Sequence, residues 1–311
     1  MSPRILIIGA TGVIGKPITA EILAAKSSFD RVAVLTSSNT IKTKTDEVKA
    51  LKEQGVDVLE GDLTVESDVK RAYEGIDTVV SCVGRGAILT QLDLIKWASE
   101  TPSVTHFFPS EFGTDIEHNA ASPNEKPHQL KLQVRKYAKT VPKDKLHFTY
   151  LVTGPYSDGF FGNSGKDEMG TFDVKAKRAV LLATGNEKVA LIAMADVGKL
   201  VVACIQQPLE SQDKILIVNS FTATPNEILA EFEKQTGAKW TVSYVSLEDL
   251  KKFETQAWES GAPYATAMTL RRIWTEGGTL YNKPRDNGLV GDPEMETLAD
   301  QVRQAIEKQT K

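Results

Sequence analysis

The apolar run Arg4-Ile-Leu-Ile-Ile8 stops at Gly9, and glycines recur at 12 and 15 as a helical pattern begins. A strand, then Gly-x-x-Gly-x-x-Gly, then a helix is the order that a dinucleotide-binding turn demands. The first glycine, Gly9, permits the tight turn. The second, Gly12, lets the backbone N–H groups of Thr11, Val13 and Ile14 approach a pyrophosphate, and the third, Gly15, lets helix and strand pack closely. The helix N-terminus adds partial positive charge. Three glycines alone are equally consistent with a turn that binds nothing; their placement between a strand and a helix favours the phosphate cradle.

Such a turn belongs to a parallel sheet, and the pattern that follows agrees. Short β-rich runs at 5–8, 32–35, 56–59, 78–81, 106–108 and 148–152 alternate with helical stretches at 13–25, 44–54, 67–73, 89–99 and 128–139. This spacing predicts right-handed βαβ units. The expected fold class is α/β, a Rossmann-type doubly wound parallel sheet. Ligands of such sheets bind beyond the carboxyl ends of the strands. Functional residues are therefore expected at 9–15, 36–38, 62, 81–85, 109–113 and 153–156, with Ser81, Val83 and Gly84 facing the cofactor.

After about residue 155 the rhythm loosens. A Gly-rich loop spans 157–166, strands are expected at 180–183, 189–193 and 215–218, and a helix runs from Asp196 through Ile205. Thr224-Pro225 reads as a cap followed by a first-turn proline. Helices near 247–258 and 293–308 close the chain. The division expected is a nucleotide-binding core at 1–155 and a smaller C-terminal α/β substrate lobe at 156–311, with late segments returning to the first sheet and the substrate cleft between the two.

Composition excludes several partners. A net charge of −4 over 311 residues leaves no electrostatic footprint for nucleic acid. No apolar run reaches membrane-spanning length. Cys82 and Cys204 sit in apolar stretches and read as small hydrophobes, with no metal site or disulfide framework. The first strand starts almost at Met1, which leaves no room for a cleavable leader, so a cytoplasmic monomer or homodimer acting on a small molecule is expected.

The cofactor follows from what ends the second strand. An NAD-selective site carries an acid there for the ribose 2′-hydroxyl. Here the strand runs into Thr36-Ser37-Ser38-Asn39. With no carboxylate, NADP(H) is favoured, and the three hydroxyls with Lys42 or Lys44 are candidates for a 2′-phosphate; either lysine alone is equally a solvated loop charge. Asp62 stands where the adenine edge would lie, or caps the helix at 67–73.

Short-chain dehydrogenases commonly pair Tyr-x-x-x-Lys on one helix, the lysine lowering the tyrosine pKa. Pro127 stands four before Lys131, and Val141 four after Tyr137, so neither pair can be built. The segments Gly9-Ala-Thr-Gly-Val-Ile-Gly15, Phe107-Phe-Pro-Ser-Glu-Phe-Gly113 and Lys131-Leu-Gln-Val-Arg135-Lys136 closely resemble the isoflavone reductase-like group, within the NmrA-like branch of atypical short-chain dehydrogenases. That group includes phenylcoumaran benzylic ether reductases and pinoresinol-lariciresinol reductases. The resemblance covers most of the chain and thins after about residue 240. It implies NADPH-dependent reduction of a small, often aromatic, molecule, and it implies that Lys131 is the general acid or base. A partly desolvated lysine can exchange protons near neutrality; a solvent-facing helix lysine is the plainer reading.

One departure stands out. Three residues before the lysine the family usually carries an apolar side chain, and here it is His128, on the same helical face as Lys131. It is a candidate for passing protons to the substrate or to Lys131, or else a solvent-exposed histidine at the helix start. Loop 114–126 also lacks a clear counterpart in the plant enzymes. Ser110 and Glu111 are candidates for orienting cofactor or substrate, or for capping a helix. Gly154 and Pro155 are placed to approach the nicotinamide, and Phe112, Tyr156, Phe160, Phe161 and Trp274 to line an aromatic substrate or simply to pack a core. Two other functions remain open on this scaffold: a non-redox cyclase or isomerase that keeps NADP(H), and a redox-sensing regulator.

Overall fold

Ile5, Leu6, Ile7 and Ile8 are all fully buried, the unbroken apolar run of a strand covered on both faces. In the computed structural model, which describes residues 2–311, they form β1 (Arg4–Ile8). The chain then passes through α1 (Gly15–Ala24), β2 (Arg31–Thr36), α2 (Ser38–Thr43), α3 (Thr45–Glu53), β3 (Asp57–Glu60) and α4 (Glu66–Tyr73). It continues with β4 (Thr78–Ser81), α5 (Gln91–Ser99), β5 (His106–Phe108), α6 (Gln129–Ala138) and β6 (His147–Val152).

The later elements are α7 (Ser157–Phe160), β7 (Thr171–Asp173), β8 (Arg178–Leu182), β9 (Val189–Leu191), α8 (Met194–Gln206), α9 (Pro208–Ser211) and β10 (Lys214–Ile217). Then come β11 (Phe221–Ala223), α10 (Pro225–Thr236), β12 (Thr241–Val245), α11 (Leu247–Glu259), α12 (Ala265–Thr275) and α13 (Leu298–Thr310).

Seven strands make one sheet in the order β10-β6-β5-β4-β1-β2-β3, and every pairing in it is parallel. Chain order reverses between β1 and β4, the switch point at which doubly wound sheets bind nucleotides. Side chains alternate between two cores. Ile5 and Ile7 pack with Ile18 and Ile22 of α1 and Leu200 and Val201 of α8. Leu6 and Ile8 pack with Val69, Tyr73 and Leu94 on the opposite face. Helices α1 and α8 approach closely at Gly198, where a Cβ would lie 2.7 Å from the Pro17 carbonyl oxygen. Thus α8 and β10, far along the chain, complete the layers of the first sheet.

The remaining segments form a lobe around Phe161, Phe172, Phe232 and Trp240. It contains a three-stranded sheet, β12-β8-β7, and the pair β11-β9. Thr224 begins α10 as expected, its hydroxyl accepting from Glu227 N while Glu227 reaches back, a reciprocal cap. The last helix starts at Leu298, later than the sequence pattern suggested, because Thr297 and Asp300 form the same kind of cap there. Cys82 and Cys204 are buried free thiols. Among the described residues, no helix is long and apolar enough to cross a membrane.

Candidate active site

The glycine turn has the shape its spacing demands. Gly9 adopts φ +82°, and a Cβ there would lie 2.5 Å from the Cys82 carbonyl oxygen, while one on Gly15 would lie 2.0 Å from the Gly9 carbonyl oxygen. Helix α1 has no side-chain cap and no acid in its first turn, so its N-terminal partial charge is left for an anion. Thr11, Gly12, Val13 and Ile14 form the crown of the turn, and Val13 stands 77% exposed. A close-approach cradle at the sheet's switch point fits the diphosphate of a dinucleotide.

Beside it, Thr36 ends β2 and Ser38 opens α2, with Ser37 as the cap accepting from Thr40 N at 3.2 Å. The two candidate lysines part company. Lys42 is exposed, whereas Lys44 Nζ donates to the Thr11 carbonyl at 2.6 Å. Asp62 does not cap α4; its carboxylate accepts from Thr64 N at 2.8 Å and Thr64 Oγ1 at 2.7 Å, closing a local turn that holds its pKa down. At the end of β4, Ser81 is fully buried, while Gly84 faces open space.

The segment after β5 is scaffold. Ser110 Oγ donates to the Val83 carbonyl at 2.9 Å, tying the ends of β5 and β4 together. Glu111 is buried, and Arg135 Nε and Nη2 grip its carboxylate at 3.0 and 2.9 Å. Neither residue caps a helix, and the Glu111 carboxylate is turned into this pair. One turn earlier on α6, Lys131 Nζ donates to the backbone carbonyl of Glu111. Helix α6 thus clamps the strand end twice, by Arg135 on the side chain and by Lys131 on the backbone.

Lys131 is not the solvated lysine of the plainer reading. Burial pulls its pKa down to about 8; Glu111 opposes that shift, and Arg85 and Arg135 add to it. It lines a cavity of about 270 Å³ with Arg85, Phe112, His128, Tyr156 and Trp274, closed by Gly154 and Pro155. The Tyr156 hydroxyl donates to the Phe112 carbonyl, and Trp274 Nε1 donates to Thr114 Oγ1 at 2.7 Å. Gly154 takes φ +67° and sits where a Cβ would lie 3.0 Å from the Ala190 carbonyl oxygen.

His128 is also not in solvent. It is 2% exposed, its Nδ1 lies 2.8 Å from the Ser122 carbonyl oxygen, and burial lowers its pKa. Two expected aromatic lining residues lie elsewhere. Phe161 is wholly inside the lobe core against Phe172 and Phe232, and Phe160 packs between Trp274 and the Arg271 guanidinium, on a separate small cavity. Both serve packing: Phe160 ends α7, Phe161 follows it, and both lie in the lobe core.

Of the other residues in the cavity wall, Arg85 falls in an expected stretch, whereas Thr114, Ile116 and Leu270 were missed by sequence reasoning. Arg85 stood in the 81–85 loop already marked by its position after β4. Leu270 lies on α12, whose mixed Thr, Arg and Trp content hides a helical face. Loop 114–126 is fastened from that same region: Arg272 holds Glu125 at 2.6 Å and Tyr281 holds Asp115 at 3.1 Å.

A doubly wound sheet with a glycine cradle at its switch point, and no Tyr-x-x-x-Lys pair built at Lys131 or Tyr137, define an atypical, dehydrogenase-like dinucleotide-binding protein. A profile of the NmrA-like family matches residues 1–281. The chain belongs to that family. It is 31% identical over 281 residues to isoflavone reductase homolog P3 of Arabidopsis thaliana, covering 89% of this chain and 88% of that one. A crystal structure of isoflavone reductase superposes with a TM-score of 0.82 at 26% identity, covering 98% of this chain and 99% of the other. The leucoanthocyanidin reductase–NADPH complex from Vitis vinifera shares the fold at a TM-score of 0.82 and 22% identity, with 98% and 99% covered.

Proposed function

We propose that the protein is an NADPH-dependent reductase of a small aromatic or conjugated metabolite, with Lys131 handling the proton. The observation that carries this reading is the lysine itself. It is desolvated to a pKa of about 8 in an aromatic-walled cavity at the carboxyl ends of β5 and β6. Isoflavone reductase relatives and the NADPH-bound neighbour support NADP(H) as cofactor and an oxidoreductase as its class.

The turn at 9–15 holds the diphosphate, and Lys44 with Thr36 and Ser38 holds the 2′-phosphate. When bound, NADPH supplies the hydride. The chain supplies the rest. Phe112, Tyr156 and Trp274 exclude water and hold the flat substrate. The Glu111 carbonyl fixes Lys131 Nζ, whose ammonium gives its proton to the anion that develops as the substrate is reduced. Near pH 8 a lysine of this pKa both gives and regains a proton readily.

The test is a pair of measurements on Lys131→Ala. Turnover with an aromatic substrate should be lost, while NADPH binding by fluorescence titration stays within about twofold. Full activity in the variant removes Lys131 from the chemistry. Equal affinity of the wild type for NADPH and NADH removes the cofactor assignment.

A further inference from the structure

The arginines that brace the Lys131 cavity from outside are saturated with carboxylates. Arg135 holds Glu111 and Glu117, and Arg272 holds Glu125, Glu254 and Glu276. Arg85, in the cavity wall itself, is different. Its Nη1 donates to the Pro127 carbonyl at 3.1 Å, and the rest of its planar donor fork is unclaimed. The wall desolvates the guanidinium enough to lower its pKa, and among the described residues no carboxylate opposes that shift.

The charged group stands at the cavity and can be reached there. Arg85 and Pro127 both line it, no acid does, and the charge of Arg85 is felt at Lys131, whose pKa it helps to lower. Arg85 remains solvent-exposed. A Cβ on either flanking glycine, Gly84 or Gly86, would meet nothing within 4 Å. The dinucleotide phosphates have their own donors elsewhere, at the turn between β1 and α1 and at the end of β2. Arg85 follows β4, and its short turn, Arg85–Thr90, packs on α6, away from both.

We infer that the substrate carries a carboxylate, which Arg85 grips at the open side of the cavity while the conjugated ring lies among Phe112, Tyr156 and Trp274 and the reducible end meets Lys131. This rests on reading the cavity as the substrate site. A planar fork with parallel N–H donors matches a carboxylate in geometry and in charge. One carboxylate cancels one of the two positive charges in the wall and leaves the Lys131 ammonium for the negative charge that develops on reduction. A dianionic phosphate would cancel both. A neutral ring in the same place would displace water from Arg85 and leave the cation without a partner.

The experiment is calorimetry at neutral pH on full-length, NADP⁺-loaded protein, with 3-phenylpropanoate and 3-phenylpropanamide as probes. The two match in shape and differ in charge. The acid should bind about tenfold more tightly than the amide. Arg85→Gln should bind both alike with NADPH affinity within about twofold of wild type, and Lys131→Met should keep the preference, which separates Arg85 from the other cation. Equal binding by wild type, binding of neither probe, a preference that survives in Arg85→Gln or is lost in Lys131→Met, or a loss of NADPH affinity in Arg85→Gln overturns the inference. The wild-type comparison relies on no variant. A preference for the acid without turnover of any conjugated acid would count against the reductase reading alone.

Discussion

Replacing Glu111 by Gln tests whether the clamp on the strand end both holds the fold and tunes the lysine. Arg135 and Glu111 side chains are 1% and 3% exposed. Removing one partner of a buried ion pair costs about 3–5 kcal/mol, because a charge is left without its counterion. Here the guanidinium keeps Glu117 at 2.7 Å and Asp115 at 3.7 Å, and glutamine still offers an oxygen, so the low end, about 3 kcal/mol, is expected. At about 2–4 °C per kcal/mol for a large chain, the melting temperature should fall by roughly 6–12 °C. Thermal unfolding followed by circular dichroism, without cofactor, measures this. The second consequence is electrostatic. The Glu111 charge raises the Lys131 pKa against burial, Arg85 and Arg135, so its loss should move the pH limb of turnover below about 8 while the backbone contact to Lys131 survives. A loss under about 1 kcal/mol, the scale of an exposed pair, together with an unmoved limb would refute the clamp.

Other outcomes follow from the same geometry. If the Lys131 ammonium donates the proton, kcat for reduction should fall as pH rises through about 8, and a rate that rises there would assign the opposite role. Because the folded pKa lies below the unfolded value, the unfolded chain binds more protons between about pH 8 and the ordinary lysine range; stability should therefore rise with pH across that window in wild type, and that slope should vanish in Lys131→Met. Lys44→Ala should weaken NADPH about tenfold and NADH far less in fluorescence titrations; an equal loss for both would place Lys44 at the glycine turn alone, where it already holds Thr11. Gly9→Ala should abolish dinucleotide binding, since its Cβ would lie 2.5 Å from the Cys82 carbonyl at φ +82°, and calorimetry that still detects NADPH would refute the cradle.

What was legible in the sequence was what local chemistry decides. Each of the first six strands carries an apolar or β-branched stretch, from Ile5–Ile8 in β1 to no more than Val58-Leu59 in β3, and their ends, with the loops after them, could be marked because parallel sheets bind ligands on one side only. The glycine turn was legible for the same reason: three positions within seven residues determine it. Partners separated by long stretches of chain were not. Nothing near Glu111 in sequence announces that Arg135, 24 residues on, will take its carboxylate, or that Lys131 will seek its carbonyl. His128 looked like a helix-start residue because its cover comes from Ser122 and from a loop fastened by α12. Helix α12 itself was hidden, its buried face being built partly from Thr269 and Arg271, which polarity patterns assign to solvent. Phe160 and Phe161 illustrate the converse, since aromatic residues near a site pack a core more often than they touch a ligand.

The charges in the cavity wall set what kind of reaction it can favour. Arg85 and Lys131 are cationic, His128 is held neutral, and the Tyr156 hydroxyl is committed to Phe112 with its pKa pushed up by burial. The lining residues include no carboxylate; Glu111, whose backbone carbonyl holds Lys131, has its carboxylate withdrawn into Arg135. A wall with two cations and no acid lowers the energy of a substrate that gains negative charge and raises that of one that gains positive charge. In the proposed reaction, delivery of a hydride to a conjugated carbon builds an oxyanion or enolate, which such a wall stabilises and which Lys131, in its proposed role, then protonates. Chemistry through a carbocation would meet repulsion from the same two groups. The withdrawal of Glu111 is therefore as much a part of the site as the presence of Lys131: with the carboxylate free in the cavity, the ammonium would be neutralised and the developing anion repelled.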